Sequence, residues 1–178
     1  MQIKDLLEVD IMLIKLLPYQ VSSHWDLIKD VVEVADPQNR LYSPKRLNNL
    51  LKSLLLDGAT AWIIADVNGE VNAKGLIITS FTTDQITDTR SLSIDILGAF
   101  NNRIINNKDY VNLYSTLVKY ARSKRCKRIV AYTNVPRIIK FATELSIADS
   151  NFQFLSFDIT RDLTKEDLNK ALNLRSDK

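Results

Sequence analysis

The dipeptide Asn68-Gly69 stands between two β-rich apolar runs, Ala61 to Val67 and Val71 to Phe81. Asn and Gly tolerate positive backbone torsions, and a two-residue loop built from them carries the twist that joins neighbouring antiparallel strands. The pair therefore places a β-hairpin in the middle of the chain and commits the fold to an antiparallel sheet. Ser91 to Leu97 alternates small or polar residues with Leu and Ile, which predicts another half-buried strand with Leu92, Ile94 and Ile96 on one face. Ile129 to Tyr132 and Phe152 to Ile159 read as further strands.

Helical periodicity surrounds these strands. Trp25, Leu27, Ile28, Val31, Val32, Val34 and Ala35 recur at helical spacing until Asp36-Pro37, where the residue before proline is driven out of the helical region. Ser43-Pro44 opens a second helix with a cap and a first-turn proline, and Leu47, Leu50, Leu51, Leu54 and Leu55 supply its stripe. A third helix is expected from about Asp109 to Lys124 on Leu113, Leu117, Val118 and Ala121, with Asp109 or Asn107 as its cap. Pro136 opens another, with Ile138, Phe141, Ala142 and Leu145, and Thr164 with Asp167 starts a short terminal one. Residues 1–21 form an N-terminal arm or a first short element, and 22–178 a single domain. The expected class is α/β (α+β), a mixed and mostly antiparallel sheet flanked by helices.

Composition narrows the function classes. A chain of 178 residues with 46% apolar and 25% charged residues is globular and sized for one domain. The formal charge of +3 is too small to argue for nucleic acid, which is not expected as a partner. Cys126 is the single cysteine, so neither an internal disulfide nor a cysteine metal site is expected, and His24 has no companion ligands; no metal is predicted. No apolar run approaches the roughly 20 residues of a membrane span, and Ile3 to Leu17 lacks the shape of a secretion signal.

Asp57-Gly58-Ala59-Thr60-Ala61-Trp62, then the hairpin with Gly75-Leu76-Ile77-Ile78-Thr79-Ser80-Phe81, then Ser91-Leu92-Ser93-Ile94 and the helix ending Ala121 to Ile129, resemble the GNAT superfamily of acyl-CoA-dependent N-acetyltransferases. The likeness covers the central and C-terminal part of the chain and is similar in kind to the divergent GNAT-like proteins of tailed bacteriophages. It implies acetyl-CoA as cofactor and a small-molecule or protein amine as acceptor. It also implies a cleft between two parallel strands, with the pyrophosphate held by backbone donors in the turn and helix start that follow the fourth strand.

The matching region, Leu97 to Asp109, lacks a glycine-rich basic turn. Gly98, Arg103, Asn106, Asn107 and Lys108 are the residues there that suit a phosphate, against the alternative of a solvated loop in which Asp109 caps the helix. Asn134 falls at the family's asparagine position after the fifth strand, whereas Phe141 stands where a tyrosine would protonate the departing thiolate. Tyr132, near the strand end, is the substitute donor, or else packs at the sheet edge. Asp95 is the candidate base, with Asp84 as a second carboxylate; alternation would otherwise turn Asp95 to solvent between two core isoleucines.

Arg122, Lys124, Arg125, Lys127 and Arg128 place five positive charges in seven residues. They suit a phosphate or an acidic protein surface, or simply solvate a helix end. The divergent turn and Phe141 keep a second reading open: an inactive GNAT-like phage structural or interaction protein with virion or homo-oligomeric partners. The corresponding locations are host cytoplasm or virion for a phage protein and cytoplasm otherwise, without a membrane partner.

Overall fold

The computed structural model describes residues 11–35, 43–66, 72–100, 107–131 and 138–140, with the side chains of Asn107 and Lys108 outside that description. Along the chain lie β1 (Ile11–Lys15), α1 (Pro18–Val21), a 3-10 turn (Ser22–His24), α2 (Trp25–Ala35) and α3 (Pro44–Leu55). They are followed by β2 (Ala59–Asp66), β3 (Asn72–Asp84), β4 (Thr89–Ala99), α4 (Asn107–Ser123) and β5 (Arg128–Ala131). Among the described residues the strands form one sheet in the order β1-β2-β3-β4-β5, antiparallel except for the β4–β5 pair. The expected mixed, mostly antiparallel sheet is therefore present, and no described helix is long and apolar enough to cross a membrane.

The central hairpin joins β2 to β3 as Asn68-Gly69 predicts, although the turn residues themselves lie outside the described segments. The next hairpin was not anticipated. Its turn is organised by Asp84, whose Oδ1 accepts the amides of Ile86 at 2.9 Å and Thr87 at 3.0 Å. Residues 11–15 join the sheet as an edge strand paired with β2.

Helices cover both faces. Ile28, Val31 and Val32 of α2 and Leu54 of α3 enter a core with Ala61, Ile63, Leu76, Ile78, Ile96 and Phe100. On the other face Leu113, Leu117 and Ala121 of α4 pack with Trp62, Ile64, Ile77 and Leu92. Burying one such Leu or Ile side chain contributes about 1.5–3 kcal/mol, so these stripes outweigh local helix propensity. Two expected stripe members face outward, Val34 at 82% exposure and Leu55 at 40%. Each lies at the fringe of a face whose centre the sheet occupies.

Helix ends follow from local chemistry. Ser43 Oγ accepts the Arg46 amide at 3.3 Å, and Pro44 fills the first position of α3, as expected. At the far ends of α3 and α4 the chain turns through Asp57 and Arg125, both at φ 59°. The amides of Gly58 and Cys126 then reach back to the carbonyls of Ser53 at 2.8 Å and Ala121 at 2.9 Å. These are Schellman closures with non-glycine residues in the left-handed position. The second one tucks Cys126 against the core under α4.

Candidate functional site

Strands β4 and β5 pair in parallel from Ser91↔Arg128 to Ile94↔Ala131. Beyond that point β4 continues to Ala99, joined to β3 only among the described residues. Next to Ile94, the last residue of β4 in the described part of that pairing, the other ladder carries a defect. Ile78 faces Ile96 while Thr79 faces Ile94, so Asp95 is the extra residue of a β-bulge.

The bulge corrects the expectation that Leu92, Ile94 and Ile96 share a face. Leu92 and Ile94 pack on the α4 side, whereas Ile96 packs with α2 and α3. One inserted residue reverses the alternation, because side chains on a strand repeat every two residues. A signal was present in the sequence: the polar-apolar alternation breaks at the Ile96-Leu97 doublet directly after Asp95.

Asp95 is half-buried, and Ser93 Oγ, on a residue only 2% exposed, donates to its Oδ1 at 2.6 Å. A hydroxyl donor at that distance fixes one carboxylate oxygen and leaves the other to accept a proton. Asp84, the second carboxylate considered, lies at the opposite end of β4, where it pairs with Thr89 across the turn. Its backbone donors, Thr87 first and then Ile86, hold its carboxyl below the ordinary value of 3.8, so its chemistry is that of a turn. His24 is likewise local, with Nδ1 at 2.9 Å from the Gln20 carbonyl and 3.1 Å from Ser23 Oγ. No group of three His, Cys, Asp or Glu able to hold a metal occurs among the described residues.

Gly98 requires a second correction. It belongs to β4, opposite Leu76, and not to the turn after the strand. A Cβ there would meet Ala35 Cβ and Val31 Cγ1, each at 2.6 Å. The missing side chain lets α2 lie against β4, a structural need the sequence does not reveal. Helix α4 begins at Asn107, which puts Asp109 inside the first turn, 4% exposed, instead of at the cap. Asn107 and Lys108 are thus at the helix start, while Arg103, Asn106, Tyr132 and Asn134 lie outside the described residues, as does Phe141.

The described part of the site is therefore a half-buried carboxylate at a strand bulge, an extended strand segment leading away from it, and the start of a long helix beyond that segment. No protein-family model and no curated protein sequence matches this chain. Solved structures do match. A probable acetyltransferase superposes with a TM-score of 0.61 at 15% identity, covering 85% of this chain and 99% of the other. An aminoglycoside acetyltransferase from an uncultured soil metagenomic sample, in complex with sisomicin, gives 0.61 at 11% identity over 89% and 99%. A predicted acetyltransferase from Clostridium acetobutylicum, solved with acetyl-CoA, gives 0.57 at 14% identity over 84% and 97%. These neighbours are GNAT acetyltransferases, and at such identities the likeness establishes a shared fold.

Proposed function

We propose that this chain is an acyl-CoA-dependent N-acyltransferase that moves an acetyl group from acetyl-CoA to an amine. The observation that carries the reading is the bulge at Asp95, with its half-buried carboxylate beside the parallel β4–β5 pair, in a chain with the fold of acetyltransferases. The strand segment Asp95 to Ala99 is about 16 Å long at roughly 3.3 Å per residue. The proposed ligand arm, which carries amides, lies along this segment and pairs with the backbone donors and acceptors of the strand. The first amides of α4, from Asn107 onward, suit the anionic end of such a ligand.

Asp95 is the proposed base. It takes the proton from the acceptor nitrogen, and Ser93 keeps its carboxylate in one orientation. Bound acetyl-CoA supplies an acyl thioester, activated toward attack by the deprotonated amine. Tyr132 is the proposed proton donor to the leaving sulfur, and Asn134, two residues later in the sequence, is proposed to assist it. Arg103, Asn106, Asn107 and Lys108 are the proposed phosphate contacts, and Gly98 takes part only through its strand backbone. Because a carboxylate base suits a cationic amine, the acceptor class is a basic amine, carried by a small molecule or a protein.

The test is calorimetry on the purified full-length chain with acetyl-CoA, coenzyme A and inorganic pyrophosphate. The expected result is saturable micromolar binding of acetyl-CoA that weakens about tenfold or more in Arg103→Ala or Lys108→Ala, in line with loss of a charge-assisted contact. Folded protein that shows no saturable binding at millimolar ligand would overturn the reading.

A further inference from the structure

Around the rings of Tyr120 and Phe81, on the α4 side of the sheet, cations gather from three separate parts of the chain. Tyr120 of α4 packs edge-on to Trp62, with ring centroids 4.7 Å apart, and lies 6.0 Å from the ring of Phe81 on β3. Lys15, the last residue of β1, has its Nζ 5.6 Å from the Tyr120 centroid, and Lys124 reaches the same ring at 5.8 Å. Arg90 of β4 lies over Phe81 at 4.4 Å. The Lys127 amide donates to the Arg90 carbonyl at 2.8 Å, which brings the segment after α4 alongside. Arg122 and Arg125 occupy the same exposed helix end.

A helix C-terminus favours nearby cations, and that accounts for Arg122, Lys124 and Arg125. It does not account for Lys15 and Arg90, which come from strands. None of these six cations forms an ion pair with a carboxylate of the described residues. Two ammonium groups share one ring, a guanidinium covers the next, and among the described residues no ion pair offsets their mutual repulsion. A surface of that kind is complementary to an anion from outside.

We propose that this surface docks an acidic segment of a partner protein. The proposal goes beyond the transferase reading and does not depend on it. Single-stranded nucleic acid binds such surfaces by stacking bases on open aromatic faces, and here Phe81 and Tyr120 already carry cations. Phosphate backbones are commonly gripped by amides at helix N-termini, whereas α4 presents its carbonyl end. An extended acidic peptide meets the geometry directly. Through the Tyr120 and Phe81 rings, Lys15 Nζ lies at most about 16 Å from Arg90 Cζ, which about five extended residues cover with carboxylates recurring on one side.

The test is fluorescence anisotropy of the full-length chain with a labelled oligo-glutamate peptide, with an oligo-lysine peptide as control. DNA single strands and duplexes of about 20 nucleotides are run in parallel. Saturable peptide binding at low salt, weakened about fivefold or more between roughly 50 and 200 mM salt, is expected. Lys124→Glu combined with Lys127→Glu should weaken it about tenfold or more, and Arg90→Glu alone should weaken it too, both with unchanged circular dichroism. No peptide binding, or binding indifferent to both variants, would overturn the proposal. DNA bound about tenfold more tightly than the peptide would overturn it in favour of nucleic acid.

Discussion

Gly98→Ala tests whether the glycine of β4 serves packing or ligand binding. The new methyl group would sit 2.6 Å from both Ala35 Cβ and Val31 Cγ1, two carbons on one face of α2. To restore an ordinary separation of 3.4 Å, helix and strand must part by about 0.8 Å. Neither neighbour can swing aside: an Ala methyl has no rotamer, and Val31 is 3% exposed in the core. Overpacking of this kind costs about 1–3 kcal/mol, offset in part by the roughly 0.5–1 kcal/mol that Ala gains over Gly in a strand. The expected net loss is about 1–2 kcal/mol, a fall in melting temperature of about 3–6 °C for a chain of this size. Urea and thermal unfolding followed by circular dichroism measure it. A double-mutant cycle with Val31→Ala should show favourable coupling of about 1 kcal/mol, since truncating Val31 makes room for the methyl. An unchanged stability, or additive effects of the two substitutions, would refute the packing account. Loss of acetyl-CoA binding at unchanged stability would assign Gly98 to the ligand instead.

The other predictions concern single side chains. Asp95→Asn should leave acetyl-CoA affinity unchanged while lowering transfer to a reactive amine about 10²- to 10⁴-fold, measured by release of free coenzyme A thiol. Thr79→Val keeps the shape but removes the acceptor of the Trp62 indole N–H at 3.0 Å, inside a region where Trp62 is 4% and Thr79 1% exposed. It should cost about 1–3 kcal/mol in urea unfolding, and a neutral result would show that the bond contributes nothing net. The amides of Thr87 and Ile86 favour ionised Asp84, so its folded value lies below the 3.8 expected of the unfolded chain. Its contribution is therefore complete above 3.8 and lost as pH falls through the lower folded value. Asp84→Asn should flatten that part of the acid-unfolding profile, and melting temperatures from about pH 5 to about pH 2 would show it.

The elements that were legible in the sequence rest on short-range physics. Asn68-Gly69 announces a hairpin because its backbone preferences match strand twist, and β2 and β3 do pair across it. Ser43-Pro44 announces a helix start because a hydroxyl can take up a first-turn amide, and Ser43 does. The leucine stripes of α3 and α4 follow from a period of 3.6 residues, and the sheet class follows from adding these pieces. Asp95 was also legible as a lone carboxylate in a strand, but only as a residue type.

Its place in the fold depends on contacts far along the chain. The bulge exists because β4 must match the register of β3, and that mismatch alone sends Ile94 and Ile96 to opposite faces. Gly98 reads as a turn glycine until α2, some sixty residues earlier, is laid across it. Arg122 to Lys127 reads as a solvated helix end until Lys15 and Arg90 arrive from β1 and β4. Local propensity is set by each residue and its near neighbours, so sequence carries it. Register, helix-on-sheet contact and charge convergence are set by which distant segments meet, and only the packed chain decides that.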